Sequence, residues 1–108
     1  MTSPWFLLTV AGLLEIGWAL GLKYTQGFTR PLPSVLTILA MIASFYFLAQ
    51  ALKAIPVGTG YAVWTGIGTV GTAILGIVLF SESTALPRLF CIGLIVMGIA
   101  GLKLTSAA

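Results

Sequence analysis

The chain is 108 residues long, 59% hydrophobic and 6% charged, with a net charge of +3 and a mean hydropathy of +1.15. A water-soluble domain carries about a quarter charged residues, so five basic and two acidic side chains cannot cover a water-facing monomer, and the solvent for most of the chain is lipid. One cysteine and no histidine exclude an intrachain disulfide, a multi-cysteine metal motif, Ser–His or Cys–His catalysis and imidazole ligation, while the scattered basic residues leave no nucleic-acid footprint.

The length allows a single domain, residues 1–108, for which no metal, no cofactor and no enzyme chemistry are expected. A helix crosses about 30 Å of hydrocarbon with about 20 residues. Four stretches meet that need: Pro4–Leu22, Pro33–Leu52, Pro56–Phe80 and Leu86–Leu102. Turn chemistry separates them at Gln26–Pro31, Lys53–Pro56 and Ser81–Thr84, and prolines stand at or near the span starts, where a missing N–H costs nothing. Short loops make consecutive helices antiparallel. The expected fold is an all-α, multi-pass membrane protein of four transmembrane helices. The first stretch lacks a basic n-region and carries Glu15 in its middle, so it reads as a retained span rather than a cleaved signal.

In the first span, Glu15 is the carboxylate that stands within the membrane. At that depth it must be protonated, paired or hydrated, and no Lys or Arg stands within a span to pair with it. A carboxyl that holds either a proton or a cation, but not both, is the least machinery that proton-coupled exchange requires. The competing reading is a permanently protonated Glu bonded to a neighbouring helix. Gly12, three residues before Glu15, lets another helix approach closely. Trp18, three residues after it, suits a pocket wall or a π face for a cation, and equally an interfacial anchor. Trp5 reads as an aromatic-belt residue.

In the second span, Ser44 lies mid-membrane, either as a site donor or bonded back to its own helix. Phe45, Tyr46 and Phe47 cannot share one helical face, so no aromatic stripe is expected there. The third span has small residues on every face and predicts close packing, with Tyr61 and Trp64 on one side. Tyr61 can bond a carboxylate such as Glu15 and Trp64 can form an aromatic wall, or both serve packing and anchoring. The fourth span carries Gly93, Gly98 and Gly101 and reads as an assembly helix, in which Cys91 is an inert small residue. Glu82 and Arg88, before and at its start, read as solvated loop charges.

Four spans put Lys53 and Lys103 on one side and Lys23, Arg30 and Arg88 on the other, which leaves almost no positive-inside bias. A chain of this kind can insert both ways and pair antiparallel with its own copy. Two chains would then supply the inverted symmetry that many transporters carry as internal repeats around a midplane site.

Two blocks are specific enough to suggest a family. Ala11-Gly-Leu-Leu-Glu15-Ile-Gly-Trp18-Ala-Leu-Gly-Leu-Lys23 and Pro56-Val-Gly-Thr-Gly-Tyr61-Ala-Val-Trp64-Thr-Gly-Ile-Gly68 resemble the first and third helices of the small multidrug resistance family. The resemblance covers the whole chain. Trp18, the Gly27-Phe-Thr-Arg30 loop and Ser44 resemble its guanidinium exporter branch, whereas the quaternary-ammonium branch has a small residue where Trp18 stands. Gly60 stands where guanidinium exporters often carry Ala, a difference expected to be tolerated.

The resemblance implies an antiparallel, dual-topology homodimer in an inner (plasma) membrane that exchanges protons for a guanidinium-type cation. It implies that Glu15 from both copies binds substrate and proton, that Trp18, Ser44, Tyr61 and Trp64 line the site, and that the fourth helix makes much of the dimer interface. Guanidinium is planar and its N–H groups match a carboxylate bidentately. The rival expectations are a polyspecific exporter of quaternary ammonium compounds, a passive channel, and a non-transporting assembly subunit or membrane chaperone for which Glu15→Gln is harmless.

Overall fold

The computed structural model describes residues 3–105. These form four helices: α1 (Pro4–Tyr24), α2 (Pro31–Ala51), α3 (Val57–Phe80) and α4 (Leu86–Thr105). Each is long and apolar enough to cross a membrane. The starts follow from local chemistry. Ser3 Oγ accepts from Trp5 N at 3.3 Å ahead of α1, and Pro4 occupies its first turn.

Helix α2 begins at Pro31, two residues before the expected Pro33. The residue before a proline is pushed to extended backbone, as Arg30 is (φ −97°, ψ 116°). Both Pro31 and Pro33 then fit the first turn, whose N–H groups have no helical partner in any case. Helices α1 and α4 run past the apolar stretches to Tyr24 and Thr105 because Lys23 and Lys103 favour the negative ends of their helices.

The helices stand in the order α2, α1, α3, α4. Helix α1 packs against α2 and α3, α2 touches α3 slightly, and the backbone of α4 approaches α3 alone. Extents of 42 × 35 × 20 Å describe a thin palisade rather than a closed bundle. Its core is small: Leu8 and Ala11 from α1, Leu48 and Ala51 from α2, Ile55 from the loop, and Val63 and Trp64 from α3.

Glycines set the close approaches. A Cβ at Gly12 would overlap Ile67, one at Gly71 would overlap the end of Ile16, and one at Gly66 would overlap Ile99. Helix α4 has no buried residue.

Candidate functional site

Glu15 lies mid-way along α1 and turns towards α3. It fits there because position 68 has no side chain: a Cβ on Gly68 would collide with the Glu15 carboxyl carbon and Oε1. Oε1 is buried with no hydrogen-bond partner. Among the described residues the ion pair is Glu82–Arg88, so no cationic side chain neutralises Glu15.

The carboxylate opens into a cavity of about 450 Å³ between α1 and α3. Its inner part is lined by Glu15, Gly68, Thr69 and Thr72, and its outer part by Lys23, Phe80, Glu82 and Arg88. Both acidic residues of the chain therefore face one space. A second cavity, of about 530 Å³ between α1 and α2, is lined by Gly17, Gly21, Arg30 and Thr37 among others and contains no acid.

The outer end adds an ion pair to the sequence expectation. Glu82 stays solvent-exposed and Arg88 partly so, and the two also pair: Arg88 Nη2 donates to Glu82 Oε1 at 2.9 Å, and its Nη1 donates to Ser83 O at 2.6 Å. Ser81 adopts a left-handed conformation (φ 54°), which turns the chain so that Glu82 folds back over the end of α3 against Gly76. Beside the pair, the Lys23 ammonium sits 5.0 Å from the centre of the Phe80 ring. At the opposite end of the molecule, Lys103 sits 4.7 Å from the centre of the Trp5 ring.

The other expected site residues gather into two linked groups. Ser44 is fully buried and bonds to neither its own helix nor Glu15: it donates to Ala11 O at 2.7 Å and accepts from Trp64 Nε1 at 3.0 Å. This one hydroxyl joins α2, α1 and α3. The Trp64 ring meets Tyr61 at 5.6 Å and Phe45 at 5.8 Å, and Phe45 in turn meets Trp18 at 6.1 Å. Four rings from three helices thus run in one chain.

Tyr61 is exposed and makes no hydrogen bond to Glu15 within the protomer. Trp18 is half-buried, and its Nε1 is buried without a partner. Gly12 packs on Ile67 beside the site. Gly93, Gly98 and Gly101 are exposed on α4, with open space where a Cβ would stand. Cys91 is exposed on the same helix.

Three residues of this region carried no assigned role in the sequence reading. Phe45 joins Trp18 to Trp64, Gly68 receives the Glu15 carboxylate, and Thr72 lines its cavity. The absence of a stripe at residues 45–47 concealed Phe45, because a single ring was enough. For Gly68 and Thr72 the available signal was their spacing of one helical turn in a span with no lipid-like face.

None of the four clustered rings lines the Glu15 cavity, but an intramembrane carboxylate without a counter-ion, at the end of a cavity, is suited to holding a small cation or a proton. Comparison with known proteins points the same way. Residues 3–95 match the family described as Small Multidrug Resistance protein. A protein of Yersinia pseudotuberculosis named guanidinium exporter is 61% identical over 102 residues, covering 94% of this chain and 98% of the relative. One of Proteus vulgaris with the same name is 61% identical over 102 residues, with 94% and 98% covered. One of Salmonella typhimurium, also so named, is 60% identical over 102 residues, with 94% and 97% covered. With the match running through all four helices, the chain belongs to the small multidrug resistance family.

Proposed function

We propose that this chain is a proton-coupled antiporter that exports guanidinium or small substituted guanidinium cations across an inner membrane. It works as an antiparallel, dual-topology homodimer. Deprotonated Glu15 side chains take up the cation inside, the dimer exchanges its two conformations, and protons displace the cation outside. Trp18, Tyr61 and Trp64 supply aromatic faces for a planar cation, and Ser44 holds Trp64 in place.

The observation that carries this reading is Glu15 itself, a mid-span carboxylate with a buried, unpartnered Oε1 opening into a cavity. A permanently protonated structural Glu would be bonded to a neighbouring helix, and no such bond is made. The names of the relatives support guanidinium as the substrate class. Helix α4, which has no fully buried residue, supports pairing with a second copy.

The test is transport current from purified protein in proteoliposomes after rapid guanidinium addition, with wild type and Glu15→Gln side by side. The wild type is expected to give a current that vanishes in the variant and that an imposed pH gradient drives uphill. Apparent guanidinium affinity should fall as pH falls, since proton and cation share one carboxylate. A current only with quaternary ammonium would transfer the reading to a multidrug exporter. An unaffected Glu15→Gln variant would overturn it.

A further inference from the structure

Three threonines in these helices return their hydroxyl to the backbone. Thr9 donates to Trp5 O, Thr69 to Thr65 O and Thr105 to Gly101 O, at 2.7–2.8 Å. Thr72 does not. Its Oγ1 is buried without a hydrogen-bond partner. An unbonded hydroxyl in an apolar span is costly.

Thr72 lines the same cavity as Glu15, whose Oε1 is the other unpartnered oxygen there. The Glu15 carboxylate rests against Gly68. Thr72 stands one turn further towards Lys23 and Phe80, about 6 Å along the axis at 1.5 Å per residue. The Glu15 and Thr72 side chains therefore border a common space, and each carries one oxygen with no hydrogen-bond partner. Thr65 Oγ1 is also unpartnered, but Thr65 is not part of this lining.

We propose that Thr72 Oγ1 is a second acceptor for the transported cation and selects cations that carry N–H donors. A guanidinium presents N–H groups along several edges of one plane. One edge meets the carboxylate while an N–H on another edge reaches the hydroxyl. A quaternary ammonium has no N–H to offer and gains nothing from Thr72. A proton is held by the carboxylate alone, so Thr72 discriminates between cations without altering what the proton competes for. The inference rests on the reading that the cation binds at Glu15.

Calorimetric titration of the purified dimer with guanidinium, at a pH where Glu15 is deprotonated, tests it. Thr72→Val keeps the shape and removes the hydroxyl, and Thr72→Ser keeps the hydroxyl. Thr72→Val is expected to raise the guanidinium Kd about tenfold, and Thr72→Ser to leave it within about twofold. Thr72→Ala replaces Thr72→Val should the latter not be recovered folded, with the same expectation. A Kd unchanged in Thr72→Val, or raised equally in Thr72→Ser, overturns the proposal and leaves the exporter reading standing. Wild type that binds no guanidinium, or Glu15→Gln that binds it as wild type does, overturns the exporter reading and the role of Thr72 with it.

Discussion

Ser44 shows how much one small side chain can hold. Its hydroxyl donates to a carbonyl of α1 and accepts from an indole of α3, and it is fully buried. Replacing it by Ala leaves Trp64 Nε1 buried without a partner, at a cost of about 1–3 kcal/mol. Ser44→Ala is therefore expected to lower thermal stability in detergent, while Ser44→Thr should recover part of the loss. Equal melting of wild type and Ser44→Ala would show that Trp64 finds another partner. From sequence alone Ser44 was open between a site donor and a bond to its own helix; the actual partners lie on two other helices. Which carbonyl and which indole face a hydroxyl depends on how three helices rotate against one another, and that information is not local.

At the level of helices, the α1–α3 contact governs the site. Three glycines allow it, and they differ in what a Cβ would strike. Gly68→Ala drives into the Glu15 carboxyl group, whereas Gly71→Ala meets the flexible end of Ile16. Overpacking of this kind costs roughly 1–3 kcal/mol where the neighbour cannot move aside. Gly68→Ala should reduce guanidinium binding at least about tenfold, and Gly71→Ala much less, with both variants still helical by circular dichroism. Equal binding by the two variants would separate the glycine from the carboxylate.

The four spans were legible because apolar runs, prolines and turn residues are local signals, and Glu15 was legible because an intramembrane acid stands out on any reading. The Glu82–Arg88 pair was not, since it depends on a left-handed Ser81 that neither residue advertises. Gly60 faces Leu52 and Ile55: a Cβ there would overlap a terminal methyl of Leu52, the movable end of that side chain, and touch Ile55.

For the molecule as a whole, the palisade leaves one helix without burial. Helix α4 leans on α3 through Ile95 and Ile99 at Gly66 and otherwise shows Phe90, Leu94, Met97 and Leu104 to its surroundings. Lipid can cover such a face, but it gives no reason for glycines at positions 93, 98 and 101, where no neighbour within the protomer needs the space. Small residues on an open face let a second helix come close. On the proposed pairing through α4, Gly98→Leu is expected to shift the protein from dimer to monomer by light scattering in detergent, and to abolish transport with the helical content intact. A dimer that survives Leu at all three positions would place the interface elsewhere. Pairing is the part least legible from residues and spacing, because an interface between copies would leave only an unexplained surface on one copy.

The chain of rings also makes the protein its own optical instrument. Of three indoles, Trp18, three residues after Glu15 on α1, and Trp64 belong to the ring cluster, with Trp64 hydrogen-bonded to Ser44 and Tyr61 close enough to pass it excitation. Trp5, under Lys103 at the far end, emits from a separate environment. Exchanging Trp5 for Phe would remove that background and leave an emission spectrum drawn from the ring cluster. Occupancy could then be followed by light, with no label attached.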